Sequence, residues 1–345
     1  MPLRHLTDWS ALPDAVWAAC LDRALAHRRD RRWMQTAHGR ALGLLFFNPS
    51  LRTRVSMELA AAHLGAFATL LTPGQGTWNL ETRDDAVMDG DRAEHVREAV
   101  GVLSRYVDAL GVRSFATLTD AAADRADAVL AAVVAASSVP VVNLESARWH
   151  PCQALADAAA LHDHFEGDVR GRRFVLAWAP HPSPLPRAVP NSALTTAARL
   201  GMDVVVARPD GCALDADVMA LARETAARAG GSVSETTRRD DAFDGAAVVY
   251  AKAWAGEDIY TDRSAEAERR AAGAGWRVTE ADMDRTAGGM FMHCLPVRRG
   301  VVVDGAVLDG ERSLHLLQAE YRLHAQKAIL EWVWEIGESG ASADV

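Results

Sequence analysis

Cysteine is scarce in this sequence: Cys20, Cys152, Cys212 and Cys294 are the four, and no two form a CxxC pair. Such scatter argues against a disulfide framework and fits reduced thiols in a cytoplasmic protein. Long apolar runs are missing as well; a membrane span needs about 18 consecutive apolar residues, and no such run occurs. The opening stretch MPLRHLTDWSALPDAVW carries no signal-peptide h-region. A basic excess is also absent: the formal net charge is −9 at pH 7, which makes nucleic acid and anionic membranes poor partners. No G-x-x-x-x-G-K-[ST] loop is present, and Gly74-Gln75-Gly76 lacks the third glycine of a dinucleotide fingerprint. An anionic substrate would have to be held by local cations against an acidic background.

What the chain does contain is globular in type, with 49% apolar and 24% charged residues over 345 positions. That length accommodates two domains with two cores. Apolar strand-like runs predict strands over Ala41–Phe47, Phe67–Leu71, Leu110–Arg113 and Val139–Val142, and later over Phe174–Ala179, Val204–Ala207, Ala247–Ala251 and Met290–His293. Helical patterns cover residues 11–28, Arg52–Leu64, Ala93–Val107, His150–Phe165, Ser192–Leu200, Leu214–Ala229 and Leu316–Trp334. This alternation predicts an α/β protein of two doubly wound parallel-sheet domains, with a boundary near Arg148-Trp149-His150. Open parallel sheets bind ligands beyond the carboxyl ends of their strands. Ser50–Arg54, Arg113, Glu145, His150, His181, Lys252 and Cys294-Leu295 all fall at such ends, which points to one active site between the two domains.

Phe46-Phe47-Asn48-Pro49-Ser50-Leu51-Arg52-Thr53-Arg54 reads as a strand, a turn and a helix start, with Ser50 as N-cap. Unpaired N–H groups of a first helical turn favour an anion, and Ser50 and Thr53 add hydroxyls. Arg52 adds a planar fork that matches phosphate oxygens. Taken alone, the same pattern also describes an ordinary capped helix with two surface arginines. His162-Asp163-His164 has metal-like composition, but at a helix end with no partner cluster it reads as solvated surface, and no metal is expected.

FFNPSLRTR resembles the S-x-R-T-R phosphate loop of the aspartate/ornithine carbamoyltransferase family. His150-Pro151-Cys152-Gln153 looks like the family's H-P-x-Q segment, and His293-Cys294-Leu295-Pro296 like its H-C-L-P segment. Arg322 stands where the family has a further arginine. Within the family, Trp78, HPCQALA, YAKAW and RLHAQKAI are similar to the N-acylornithine branch.

The resemblance implies a carbamoyl-phosphate-binding domain over 1–148, on which the last helix (316–338) packs back, and an acylornithine-binding domain over 149–315. It implies transfer of a carbamoyl group to an amine, with no cofactor. Thr53, Arg113 and His150 would point at the carbonyl oxygen. Ser50, the Leu51 N–H, Arg52 and Thr53 would hold the phosphate, and Arg322 would add a cation. Gln153 and the carbonyls of Cys294 and Leu295 would hold the carbamoyl NH2. Trp78 would reach the phosphate of a neighbouring subunit, which implies a homotrimer with shared sites. Glu145, His181, Lys252, Leu295 and Arg298 would bind the acylornithine, with Asn191 either joining them or capping the helix from Ser192. Arg54 would brace the loop.

The D-x-x-x-S-M-G pattern of plain ornithine enzymes is missing. Lys252 would repel a free α-ammonium but suits a carboxylate or an acyl oxygen. By resemblance, acetyl-specific members carry a glutamate at the position of Ala93 and an anionic carboxylated lysine at that of Val302. Neither is present here, and Arg92 or Arg298 could pair with an added carboxylate. N-succinyl-L-ornithine is therefore the expected substrate in arginine biosynthesis, with N-acetyl-L-ornithine or plain ornithine as alternatives. A non-catalytic anion-binding relative is the alternative outside enzymes. A nicotinamide dehydrogenase lacks its glycine fingerprint.

Overall fold

The computed structural model describes residues 3–337. Two compact units are formed, each built around a five-stranded parallel sheet. The first comprises the described residues up to Thr117, Ala122–Leu155, and the described residues from Tyr321 onward; the second comprises Leu118–Ala121 and Ala156–Glu320.

The first unit contains helices α1 (Asp14–Arg29), α2 (Arg52–His63), α3 (Val96–Leu103) and α5 (Ala128–Ala136), with the short α4 (Ala121–Arg125) at its edge. The strands are β1 (Ala41–Phe46), β2 (Phe67–Pro73), β3 (Gly76–Thr77), β6 (Ala109–Arg113) and β7 (Val141–Glu145), in the order β3-β2-β1-β6-β7. A separate parallel ribbon of β4 (Leu80–Glu81) and β5 (Glu94–His95) clasps the base of the loop between them. β6 is buried along its whole length and β1 in all but its first residue, which is why both read as unbroken apolar runs. Leu45, Leu110 and Val112 pack with Val96, Val100 and Val133 in this unit's core.

Helix α6 (Pro151–His164) and helix α13 (His315–Val333) each begin in one unit and end in the other. Expected over 316–338, the last helix ends at Val333, and residue 338 lies outside the described residues. Its C-terminal half is tied to α1, where Arg23 and His27 both reach Glu331, at 2.5 and 2.9 Å.

The second unit contains α7 (Ala188–Arg199), α8 (Ala216–Ala229), α9 (Arg239–Phe243), α10 (Arg263–Ala272), α11 (Glu280–Asp284) and α12 (Gly305–Asp309). Its strands are β8 (Arg173–Trp178), β9 (Asp203–Ala207), β10 (Ser232–Thr236), β11 (Val248–Lys252) and β12 (Met290–Met292), in the order β10-β9-β8-β11-β12. Its core joins Val175, Ala177, Val249, Ala251 and Phe291 to Val302 and Val303.

Both sheets reverse strand order at one point, between β1 and β6 in the first and between β8 and β11 in the second. Such switch points leave a crevice beyond the carboxyl ends of the two strands, where ligands of this sheet type bind. Ser50–Thr53 follow β1 and Arg113 ends β6; His181 follows β8 and Lys252 ends β11. Among the described residues, no helix is long and apolar enough to cross a membrane.

Candidate active site

In the first unit the turn after β1 carries the sequence expected to bind an anion. Helix α2 begins at Arg52, and the preceding Leu51 is already helical, with its side chain exposed. Ser50 Oγ nonetheless accepts the Thr53 N–H at 3.1 Å, so its hydroxyl does the capping work expected of it. Arg52 is half-buried in this first turn.

Thr53 is the junction of the site. Its hydroxyl oxygen accepts from Arg322 Nη2 at 3.0 Å and, more weakly, from Arg113 Nη1 at 3.4 Å. A guanidinium only donates, so the Thr53 hydroxyl oxygen is the acceptor in both contacts and its hydrogen is used in neither. Arg322 also donates to Gln153 Oε1 at 2.8 Å. Helix α13 brings Arg322, and α6, opening on Pro151 at its first position, brings Gln153.

Arg113 faces Glu145 because of an irregularity between β6 and β7. Val112 pairs with Asn143, but Arg113 pairs with Glu145, one step out of register. Arg113 Nη1 lies 2.5 Å from Glu145 Oε2, and His150 Nε2 lies 3.5 Å from the same oxygen. The His150 imidazole is held well below its ordinary pKa, first by burial and then by the charges of Arg322, Arg113 and Arg52. Its contact with Glu145 is therefore not an ion pair at neutral pH, and His150 acts as a neutral hydrogen-bonding group.

Farther along the same unit, Trp78 stands 67% exposed between β3 and β4. Arg92 Nη1 donates to the Leu80 carbonyl, which anchors it to β4, and Ala93 is exposed beside it.

In the second unit, His181 Nε2 accepts from Arg298 Nε at 3.0 Å. His181 Nδ1 lies 2.8 Å from the Ser183 carbonyl oxygen and 3.1 Å from the Ser183 N–H, so both backbone groups of Ser183 hold the ring. Burial lowers the His181 pKa, and Arg298, Lys252 and Arg270 lower it further. Lys252 is 8% exposed at the end of β11. Cys294 and Leu295 follow β12, both half-buried, with Leu295 at φ +56°. Val302 is packed in the apolar core, so its bearing on a substrate is limited to the charge it does not carry.

Two model domains of one family match the chain. The carbamoyl-P binding domain of aspartate/ornithine carbamoyltransferase covers residues 4–163, and its Asp/Orn binding domain covers residues 187–333. The chain belongs to the aspartate/ornithine carbamoyltransferase family. An N-acetylornithine carbamoyltransferase of Xanthomonas campestris pv. campestris is 43% identical over 335 residues, 96% of this chain and 97% of that one. An N-succinylornithine carbamoyltransferase of Bacteroides thetaiotaomicron is 34% identical, over 91% of this chain and 93% of that one. Among solved structures, a glutamate-to-alanine variant of N-acetyl-L-ornithine transcarbamylase complexed with carbamyl phosphate and N-succinyl-L-norvaline superposes with a TM-score of 0.92. It is 42% identical and covers 96% of this chain and 100% of that chain.

Two expectations for this carbamoyltransferase need correction. Asn191 is not an N-cap: α7 starts at Ala188, so Asn191 lies inside the helix, buried, with its N–H bonded to the Arg187 carbonyl at 2.9 Å. Proline is tolerated in a first helical turn, and Pro190 therefore did not mark the boundary. Arg54 does not brace the loop but pairs along α2 with Glu58 at 3.3 Å on the exposed face.

One positioning group escaped the sequence reading. Arg270 Nη1 donates to the carbonyls of His181 and Pro182, while the same guanidinium grips the buried Glu266 at 3.2 Å. The turn that presents His181 is thereby held from α10. The only trace in the sequence is the i,i+4 spacing of Glu266 and Arg270.

Proposed function

We propose that this carbamoyltransferase transfers the carbamoyl group of carbamoyl phosphate to the δ-amine of an N-acylated ornithine, in arginine biosynthesis. The observation that carries the reading is the pair of cations in the second unit: Arg298 Nε lies 3.0 Å from His181 Nε2, and Lys252 is buried at the end of β11. A free α-ammonium would be repelled there, whereas an α-carboxylate is attracted. An acyl cap removes the ammonium.

In the proposed chemistry, Ser50, Leu51 and Arg52 hold the phosphate. Thr53, Arg113 and neutral His150 donate to the carbonyl oxygen as it gains charge. Donors aimed at developing charge supply the largest catalytic effect in acyl-type transfer. The amine lone pair forms a bond to the carbonyl carbon. The bond from that carbon to the phosphate oxygen then breaks, and the departing phosphate takes the electron pair and a proton from the nitrogen. Gln153 and the Cys294 and Leu295 carbonyls orient the carbamoyl NH2. Glu145, His181, Lys252, Leu295 and Arg298 take the acylornithine.

For the acyl group we favour N-succinyl-L-ornithine. Ala93 stands where the resemblance puts a glutamate, and Val302 where it puts an anionic lysine. A carboxylate about 5 Å from a succinyl carboxylate costs roughly 3 kcal/mol at an effective dielectric of about 20, less where solvent screens it. The alanine variant of the relative, solved with N-succinyl-L-norvaline, supports this choice. N-acetyl-L-ornithine is the second reading, favoured by the name of the 43% identical relative. Steady-state kinetics with both substrates decides between them, and an equal or higher kcat/KM for the acetyl compound sinks the succinyl preference. Ala93→Glu should lower kcat/KM for N-succinylornithine by about 10- to 100-fold and leave N-acetylornithine turnover equal or higher. No change for either substrate would remove the loop from the acyl site.

The exposure of Trp78 suits a side chain lent to a neighbouring copy, and we place the protein as a cytoplasmic homotrimer with shared sites. A solution mass of one chain rather than three would refute this.

A further inference from the structure

The turn His293–Leu295 is held by a buried chain of hydrogen bonds that reaches α13. Gln318 Oε1 accepts the His293 N–H at 2.9 Å, and Gln318 Nε2 donates to Asp157 Oδ1 at 2.8 Å. Beyond it, the Leu295 N–H donates to His293 Nδ1 at 2.9 Å. Asp157, His293 and Gln318 are each 3% exposed or less, so these bonds are shielded from bulk solvent.

The orientation of the Gln318 amide is not left to chance. One end meets an N–H and the other a carboxylate, and only one of the two amide orientations satisfies both. The helix that carries it is fixed to the strand before the turn. The Leu314 N–H donates to the Phe291 carbonyl at 2.8 Å, and the Phe291 N–H to the Arg312 carbonyl at 2.7 Å. At the far end of the chain, Leu295 adopts φ +56°, a region that residues with side chains enter only when their surroundings hold them there.

We propose that Gln318, oriented by Asp157, is a positioning residue for the carbamoyl group. Its carbonyl anchors the backbone at His293, and His293 anchors Leu295. The Cys294 and Leu295 carbonyls are thereby aimed at the carbamoyl NH2. The proposal rests on the reading above that these carbonyls receive that group.

The test uses two stable phosphonates that differ only in that group, phosphonoacetamide and its methyl-ketone counterpart 2-oxopropylphosphonate, with binding measured by calorimetry on the full chain. Wild-type enzyme should bind the amide about tenfold tighter, the worth of one or two well-aimed hydrogen bonds. Gln318→Glu keeps the acceptor for His293 but turns a carboxylate oxygen toward Asp157. It should bring the two ligands to within about twofold while leaving 2-oxopropylphosphonate affinity unchanged. Combining it with Asp157→Asn restores donor and acceptor with reversed polarity and should recover the discrimination. A purely structural role would weaken both ligands together.

Wild-type discrimination retained in Gln318→Glu overturns the proposal. No discrimination in the wild type removes instead the carbonyl reading on which it stands, and the proposal with it. If Gln318→Glu does not fold, Gln318→Met makes the comparison, because it keeps the bulk of the side chain and removes the acceptor for the His293 N–H. Wild-type discrimination in that variant also overturns the proposal.

Discussion

Replacing Arg113 with alanine is expected to lower kcat by about a thousandfold, the loss seen when a preorganised donor to a developing oxyanion is removed. Arg113 is 6% exposed, and water is a poor substitute at such a site. Its guanidinium also reaches Thr53 Oγ1, so its loss disturbs the aim of a second donor. Part of the effect is indirect, because Glu145 would lose the cation 2.5 Å away. Arg113→Lys separates the contributions. It keeps a charge for Glu145 but not the fork, and should recover stability while kcat stays about a hundredfold low. Phosphate release by the purified variants, beside thermal melts, gives both quantities. An Arg113→Ala enzyme within tenfold of wild type in kcat would exclude Arg113 from the oxyanion site.

Lys252→Met should lower kcat/KM for N-acylornithine by about a hundredfold, the worth of a charge-assisted hydrogen bond made in a buried setting. Methionine keeps the length and apolar bulk of the lysine stem at the end of β11, so the strand should tolerate it. Affinity for phosphonoacetamide should stay at the wild-type value, since the turn proposed to hold the phosphate belongs to the other unit. The acceptor side alone is thereby tested. Equal losses for both ligands would indicate a folding defect, and no loss would move the acylornithine carboxylate elsewhere.

Much of the fold was legible because its central strands are buried on both faces. β1, β6, β8 and β11 appear in the sequence as short unbroken apolar runs, and the turns after them carry the site's polar residues. β10 escaped notice because it lies at the sheet edge. Ser232-Val233-Ser234-Glu235-Thr236 is mostly polar and partly exposed, with neither an apolar run nor a clean alternation.

Ser50, Arg52, Thr53 and Gln153 stand out in the sequence by motif and position. Their mutual arrangement does not. That Thr53 is shared by Arg113 and Arg322 depends on α13 returning to the first unit, across more than two hundred residues of chain. The pairing of Arg113 with Glu145 depends on a one-step slip between two strands, which neither strand's own pattern betrays. Gln318 and Arg270 act through backbone carbonyls and N–H groups, and such partners leave no mark in a sequence.

Initial rates of citrulline-type product formation from carbamoyl phosphate, with ornithine and its N-succinyl and N-acetyl derivatives compared at equal concentration, test the central claim most directly. The cationic setting of Lys252 and Arg298 predicts that at least one N-acyl compound exceeds plain ornithine by about a hundredfold in kcat/KM. Plain ornithine turned over as well as the better acyl derivative would contradict the account.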